Sequence, residues 1–264
     1  MPSISLSVSL QEEYTRLFNT CNIKTEKFPD VENIISKLSA NKSRYENAVA
    51  GLKIPWYFVA VIHNMESSLN FSRHLHNGDP LTARTKQVPA GRPVDGDPPF
   101  TWEESAMDAL MYKKLEQWEN WSLPGILYQL EKYNGWGYRS KHPEVLSPYL
   151  WSFSNHYTRG KYIADGTWSD TAVSKQSGAA VLLRRMAEKG IIIFPGEPVI
   201  AVDDDVDKPA ISFSNKVIPY GDELQKFLNR FPGIYLKEDG KPGKKTSEAF
   251  KKITGYYLKG DDRA

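Results

Sequence analysis

The sequence predicts a mainly α-helical protein built from two domains. Over most of the first 190 residues, apolar side chains recur at steps of three and four residues, which is the period of an amphipathic helix. A proline or a capping residue, both of which favour a helix start, stands before several of these segments. Hydrophobic residues make up 40% of the 264 residues and aromatic residues 12%, which is enough for a globular core.

The first helices are expected between Leu10 and Leu52. Charged residues separate the apolar positions there, and two helices are the simplest interpretation. The apolar positions are Leu17, Phe18, Ile34, Ile35 and Leu38.

The next helix is expected to begin at Pro55, because proline fits the first turn, where a backbone N–H has no helical partner. Its sequence, WYFVAVIHNMESS, has apolar residues on nearly every side. We therefore expect a helix buried in the core, with Glu66 near its C-terminal end.

A long loop is expected from Asn77 to Phe100, since this segment contains eight glycines and prolines. Thr101 can cap the following helix, with Glu104 three residues further on, over TWEESAMDALMYKKL. Two more helices are expected, one from Ser122 through Tyr133 and one from Ser169 through Lys189. Apart from this loop, the body of the protein is therefore expected to be helical.

A domain boundary is expected after Gly190, where the composition changes to IIIFPGEPVIAVDDDVDKPAISF. This stretch is β-branched, acidic and rich in proline, as in a linker with short extended pieces. Two helical patterns follow, DELQKFLNRF and TSEAFKKITGYYL, separated by the turn-rich LKEDGKPGKK. The predicted division is a first domain at 1–190, a linker at 191–219 and a second domain at 220–264.

Charge and composition exclude several classes of function. A net charge of +2, from 34 basic and 32 acidic residues, gives no field that favours nucleic acid. Cys21 is the single cysteine, which leaves no intramolecular disulfide and no thiolate zinc cluster. The N-terminus lacks the pattern of a signal peptide, and the longest apolar stretch, 54–62, is too short to span a bilayer. We expect a monomer that binds no nucleic acid and does not insert into membranes.

Glu66 is the strongest candidate for catalytic chemistry. A carboxyl group at the end of an apolar helix, facing a cleft, loses hydration, which raises its pKa and lets it keep a proton for donation to a glycosidic oxygen. The alternative is an ordinary exposed glutamate at a helix end. His63, His74 and His76 invite a metal interpretation, but HNMES is not HExxH and a third ligand is lacking, so we expect neither a metal nor a cofactor.

The segments HNMESS and LEKYNGWGYR together resemble the goose-type lysozymes and the soluble lytic transglycosylases. In these families a Glu-Ser pair ends a buried helix and a Tyr-Asn-x-Gly motif lies across the cleft. The resemblance implies that Glu66 is the catalytic acid with Ser67 beside it. It also implies that Tyr133 and Asn134 contact substrate and that Gly135 allows close approach of the backbone to a sugar.

The resemblance extends over roughly residues 50 to 185, through HLHNGDPLTARTKQVPAGRP, FTWEESAMDALMYKKL and LSPYLWSFSNHYTRGKY, which are similar to bacterial and phage proteins of the lysozyme family. It departs from the pattern in the Gly-Trp-Gly that follows Asn134 and in the long loop after the catalytic helix. Trp136 and Tyr157 are further candidate substrate contacts because aromatic faces pack against sugar rings, although such residues are also good core residues.

Asp79 is the candidate for a second catalytic carboxylate, with Asp95 and Asp97 behind it. An inverting hydrolase needs a base roughly 6.5–9.5 Å from the acid, whereas a lytic transglycosylase needs none because a hydroxyl of the sugar attacks. The alternative for Asp79 is a turn residue between Gly78 and Pro80. Hydrolysis and transglycosylation both remain open.

The segment FPGIYLKEDGKPGKKTSEAFKKITGYYL resembles the common peptidoglycan-binding domain, in which a glycine-containing turn leads into an amphipathic helix. Thr246 is a credible cap of that helix. A generic helical appendage is the alternative, and the ending GYYLKGDDRA departs from the usual pattern. The residues that match, and that we expect to bind the wall, are Leu236, Asp239, Gly240, Thr246 and Phe250, with Gly243 in the turn.

These observations predict a lysozyme-like muramidase that cleaves the bond between N-acetylmuramic acid and N-acetylglucosamine in peptidoglycan. It is expected to act in the periplasm or on the extracellular wall, reached by a route such as a holin or a secretion system. Two alternatives stay open. One is a non-catalytic wall-binding or phage-tail-associated protein, and the other is a chitinase-like hydrolase.

Overall fold

A computed structural model of the chain describes residues 4–164, 166–196 and 211–264. The chain divides into two compact units, Met1–Val199 and Ile200–Ala264. The described residues form eleven α-helices and one two-stranded antiparallel sheet, which confirms the mainly α class. None of the described helices is long and apolar enough to cross a membrane.

The first unit contains nine of the described helices and both strands. Its helices are α1 (Val8–Asn19), α2 (Phe28–Ala40), α3 (Lys42–Ala48), α4 (Trp56–Ser67), α5 (Trp102–Tyr112), α6 (Leu123–Asn134), α7 (Gly137–Lys141), α8 (Pro148–Trp151) and α9 (Ala179–Glu188). Its strands are β1 (Lys161–Ala164) and β2 (Thr167–Ser169), which pair with each other. The second unit contains α10 (Gly221–Leu228) and α11 (Lys244–Thr254).

Helix α4 is the centre of the first unit. Every residue from Tyr57 to Asn64 is buried, and α2, α3 and α9 pack against the helix from different sides. A helix that is apolar all round needs such neighbours to remove it from water. The prediction of a buried helix that carries Glu66 near its end is confirmed, although the helix begins at Trp56, with Pro55 as its N-cap instead of its first residue.

The start of α5 is also as predicted. The Thr101 hydroxyl accepts a hydrogen bond from the Glu104 N–H at 3.2 Å, and the Glu104 carboxylate accepts one from the Thr101 N–H at 2.7 Å. This reciprocal pair satisfies two backbone donors that the helix leaves free. Ser122 likewise precedes the first residue of α6.

Two helix predictions in the first unit are wrong in their bounds. The segment before α4 forms three helices instead of two, because the chain leaves helical geometry at Asn41, which ends α2 and precedes α3. The helix predicted from Ser169 begins only at Ala179. Gly178 is the N-cap of this helix and has extended backbone, and a Cβ there would lie 2.2 Å from the Leu150 carbonyl oxygen, so this contact needs a glycine.

The β1–β2 hairpin is absent from the sequence prediction. Asp165-Gly166 between KYIA and TWS is typical of a hairpin turn, and Gly166 has a φ of 69°. The hairpin was missed because each strand is only three or four residues long.

The second unit packs its two helices around Leu228, Ile234 and Ala249. Helix α11 begins at Lys244, with Gly243 as its N-cap, so the prediction that Thr246 caps the helix is wrong. Thr246 lies inside the first turn and is buried, and its hydroxyl accepts a hydrogen bond from Gln225 Nε2 at 3.3 Å.

Both ends of the predicted linker pack within a unit. Phe194 is 1% exposed, and its ring lies 5.4 Å from that of Phe18 and 5.8 Å from that of Tyr57. In the second unit the Phe213 N–H donates to the Lys259 carbonyl at 2.9 Å. The middle of the predicted linker, 197–210, with its acidic run, lies outside the described residues.

We expect Phe194→Ala to lower the free energy of unfolding of the first unit by about 3 kcal/mol, because it leaves a cavity in the core. Ile193→Ala is the matched control, since Ile193 is 57% exposed, and it should change the value by less than about 0.5 kcal/mol. Chemical denaturation of both variants measures this. Equal effects would show that 191–194 is not part of the core.

Candidate active site

Glu66 is the penultimate residue of α4, and the chain turns sharply after it. Ser68 and Leu69 both have positive φ, at 52° and 63°, which non-glycine residues seldom adopt. Gln176 holds the helix end from the loop before α9: its Nε2 donates to the carbonyls of Asn64 at 3.0 Å and Met65 at 2.7 Å. Both carbonyls belong to the last turn of the helix, and that of Asn64 also accepts the Ser68 N–H at 3.2 Å. These hydrogen bonds therefore hold the backbone next to Glu66 in place.

Three helices bring three acidic or phenolic groups together. The Tyr149 hydroxyl, on α8, donates to Glu66 Oε1 at 3.0 Å. Tyr133, the penultimate residue of α6, lies close enough that the charge of Glu66 raises its phenol pKa, in addition to the larger effect of burial. The Tyr133 ring is also contacted by Lys113, whose Nζ is 4.9 Å from the ring centroid.

The surroundings of Glu66 favour its protonated form. Burial by the surrounding protein raises the pKa of the carboxyl above its ordinary value, while the Tyr149 hydroxyl and the Lys113 charge act in the opposite direction. The residue nevertheless stays accessible to solvent. A group that is packed on one side and open on the other can hold a proton and still deliver it.

A cleft of about 450 Å³ lies beside Tyr149. Tyr149 and Met65, the residue before Glu66, both line this cleft, as do the predicted substrate contacts Asn134 and Gly135. Its other described lining residues are Gly137, Tyr138, Lys141, Pro148, Lys161, Tyr162, Ala164, Gly166, Ser174 and Gln176. The described lining is polar and aromatic and includes no carboxylate.

The structure places Ser67, Trp136 and Tyr157 in the framework around this cleft. The Ser67 hydroxyl donates to the His63 carbonyl at 3.2 Å, and the half-buried Trp136 ring packs 5.3 Å from that of Tyr128. Tyr157 is 2% exposed, and its hydroxyl donates to the Gly160 carbonyl and accepts from the Ser174 N–H, both at 3.2 Å. None of the three is among the cleft-lining residues, although sugar contacts were expected for Trp136 and Tyr157.

Asp79 organises the loop that passes Glu66. Its Oδ2 accepts hydrogen bonds from the N–H groups of Lys86 at 2.7 Å and Gln87 at 3.0 Å, and from Asn77 Nδ2 at 3.1 Å. These donors lower the pKa of Asp79, those of Gln87 and Lys86 most. A carboxylate held in this way is a weak base, so the geometry suits the turn interpretation of Asp79.

The three histidines near Glu66 have structural partners. His63 Nδ1 hydrogen-bonds to the Tyr45 hydroxyl at 3.1 Å, and burial lowers the pKa of His63 to about 4. His76 Nε2 lies 2.7 Å from Asp108 Oδ2, and His74 bridges two chain segments. Within the described ranges, no group of three or more His, Cys, Asp or Glu side chains is arranged to hold a metal ion.

Three residues of the site, Tyr149, Gln176 and Lys113, are not among the candidates predicted from the sequence. Tyr149 follows Ser147-Pro148, which is typical of a helix start, but neither its spacing nor its neighbours relate it to Glu66. Gln176 falls in the segment that was predicted to be helical. Contacts of this kind depend on the packing of α4, α6 and α8 and leave no local pattern.

In the second unit, four of the five predicted wall contacts connect the turn around residues 236–240 to the helices. They are Leu236, Asp239, Gly240 and Thr246. Gln225, on α10, is buried and links the turn to α11: its Nε2 donates to Asp239 Oδ1 at 3.1 Å and to the Thr246 hydroxyl on α11 at 3.3 Å, and its Oε1 accepts from the Gly240 N–H at 2.9 Å. Leu236 packs against the small core, and so does the fifth residue, Phe250. Leu236, Asp239 and Thr246 also line a pocket of about 240 Å³ together with Gln225, Lys237, Lys241, Gly243, Lys244 and Lys245.

Comparison of the chain with models of protein families, with curated proteins and with solved structures finds no match. No known protein therefore adds evidence about this site beyond its geometry and its sequence motifs.

Glu66→Gln should change stability in a pH-dependent way. Because the folded state raises the pKa of Glu66, wild type is penalised for ionising this group once the pH rises above the value of the unfolded chain, roughly 4. The variant avoids this penalty, so its advantage in free energy of unfolding should be absent below that pH and grow as the pH rises through the folded pKa. Glu119→Gln, at an exposed position, controls for the loss of one carboxylate elsewhere.

Tyr149→Phe should raise the pKa of Glu66 further, because the lost hydroxyl stabilises the carboxylate. Titration of the Glu66 carboxyl carbon by NMR measures the shift. Tyr162→Phe, which removes a hydroxyl from another part of the cleft lining, is the control. A lower pKa in Tyr149→Phe would contradict the assigned role of the hydrogen bond.

Proposed function

We propose that this protein is a muramidase that cleaves the glycosidic bond between N-acetylmuramic acid and N-acetylglucosamine. The observation that carries the proposal is the Glu66 carboxyl, whose pKa is raised by burial beside a polar cleft. Glycoside cleavage requires such a group to protonate the departing oxygen. The resemblance of HNMESS and YNGWG to goose-type lysozymes and lytic transglycosylases supports the same assignment.

In the proposed first step, Glu66 gives its proton to the bridging oxygen while the bond from this oxygen to C1 of the muramic acid breaks. The Tyr149 hydroxyl and the Lys113 charge, which oppose the pKa rise, stabilise the carboxylate that remains. Asn134 presents an amide to the cleft and would position the N-acetyl group of a sugar.

Two observations favour transglycosylation over hydrolysis. Asp79 is engaged by three N–H donors, and the described lining of the cleft has no second carboxylate to activate water. A lytic transglycosylase needs no such base: a hydroxyl of the muramic acid attacks C1, and its proton returns to Glu66. The product would be an anhydro sugar.

The raised pKa also bears on the non-catalytic alternative. Shifted pKa values cluster at active sites, so the raised pKa of Glu66 favours a catalytic role over a purely structural one. We propose that the second unit holds the wall polymer, since such tethering raises the local concentration of substrate at the cleft. The site of action would then be the periplasm or the extracellular wall.

The test compares wild type, Glu66→Gln and Asp79→Asn on purified peptidoglycan, with the released fragments identified by mass. Glu66→Gln should lower the rate about 10²- to 10⁴-fold, because it removes the proton and nearly keeps the shape. Asp79→Asn should keep the rate within a few-fold, and both active proteins should release anhydro ends. Thermal unfolding checks that each variant is folded.

Other results would redirect the proposal. Reducing ends, together with an equal loss of activity in Asp79→Asn, would establish a hydrolase with Asp79 as its base. No fragments from wild type would favour the non-catalytic binder, and cleavage of chitin but not of peptidoglycan would favour the chitinase-like alternative.

A further inference from the structure

The cleft continues into a second depression. This neighbouring space has a volume of about 700 Å³ and shares Met65, Lys161, Ser174 and Gln176 with the cleft. Residues of α2 and the segment 174–177 form its other parts. The cleft and the depression adjoin along these shared residues, and the two together are here called the groove of the first unit. A groove of this kind is suited to an extended polymer.

Three lysines line this groove. Lys141 and Lys161 lie in the cleft, and Lys161 and Lys175 in the depression. Elsewhere in the first unit Lys27, Lys42 and Lys189 have carboxylate partners.

In the part of the chain that the structure describes, no carboxylate oxygen lies within 4.0 Å of Nζ of any groove lysine. Asp30 is the one carboxylate among the described groove residues, and it pairs with Lys27 at 3.8 Å. The groove therefore has positive charge that the described protein does not neutralise.

We infer that Lys141 and Lys161 bind carboxylates carried by the glycan, so that the groove selects an acidic polymer over a neutral one. This inference rests on the proposed function. Chitin carries no carboxylate and could not use these lysines. In peptidoglycan the carboxylate has two sources, the lactyl group of a muramic acid without a peptide and the stem peptide attached to the others.

The expected energetics are modest for each lysine. Lys141 is exposed and Lys161 half-buried, so water screens both charges, and each contact should change affinity only a few-fold. Lysine suits this role because its long stem lets the ammonium group follow a carboxylate along a flexible substrate. The selectivity should also fall as salt is added, since salt screens exposed charges.

The experiment measures binding by the Glu66→Gln variant of the 264-residue chain, which should leave the substrate uncleaved. Lys141→Gln, Lys161→Gln and the double variant are made in this background. Lys53→Gln is the matched control, because Lys53 is exposed and precedes α4 at the end opposite Glu66. The ligands are soluble glycan strands with stem peptides, strands stripped to the lactyl group, and chitooligosaccharides of equal length.

The second unit is present in every variant, so its contribution cancels when variants are compared. Each single change should weaken binding of acidic strands about three-fold and the double change about ten-fold. Chitooligosaccharide binding and the Lys53→Gln protein should be unchanged. A loss confined to peptide-bearing strands would identify the stem peptide as the source of the carboxylate, and a loss confined to the stripped strands would identify the lactyl group. A loss on both would show that the lysines bind either carboxylate.

Equal affinity of the double variant and its parent for acidic strands would overturn the inference. An equal loss for chitooligosaccharides would also overturn it, because it would show that the lysines shape the groove without recognising charge. Neither result bears on catalysis, which is decided separately by fragments from wild type. An inactive wild type would overturn the proposed function even if the lysine variants changed binding as expected.

Discussion

The burial of α4 on nearly every side is the constraint on which the rest of the first unit depends. A helix without a polar face cannot lie on a surface, so α2, α3 and α9 must cover it. Its polar residues begin only at His63, near the C-terminal end, where the helix reaches the edge of the core. Glu66 stands at that edge, and the packing that stabilises the fold therefore also raises the pKa of its carboxyl.

Single polar side chains hold the irregular segments in this protein. Asp79 accepts hydrogen bonds from two backbone N–H groups of its loop, and Gln176 donates to a carbonyl at the end of α4. Gln225 holds the turn in the second unit: its side chain accepts a hydrogen bond from the Gly240 N–H and donates one to the Asp239 carboxylate. In each case one side chain forms hydrogen bonds with backbone groups in a loop, in a turn or at a helix end. Residues of this kind look like functional candidates in a sequence because they are polar and occur in loops.

The sequence predicted those features that a local pattern encodes. The apolar run before Glu66 predicted a buried helix, and Thr101 with Glu104 predicted the start of α5. Placing Asn134 and Gly135 at the cleft needed the family resemblance as well. The resemblance itself, and the activity it implies, stay a prediction.

Contacts between distant segments could not be predicted. Tyr149 contacts Glu66 although the two are 83 residues apart in the sequence, and Gln176 is more than 110 residues from the α4 carbonyls to which it donates. Tyr157 presents a different difficulty. From the sequence, an aromatic residue can be expected either to pack against a sugar or to lie in the core, and only its burial in the structure distinguishes the two. The need for a glycine at position 178 has a similar origin, since its close approach to Leu150 is a tertiary contact.

The amide of Gln176 also makes the site sensitive to chemical ageing. Hydrolysis of this side chain to glutamate replaces a nitrogen that donates two hydrogen bonds with an oxygen that only accepts. Two carbonyl oxygens, of Asn64 and Met65, would then face a carboxylate, and the last turn of α4 would lose its clamp. The same change would place a negative charge beside the groove lysines. One slow deamidation would thus damage the helix end and the charge of the groove together, without altering the length of the chain.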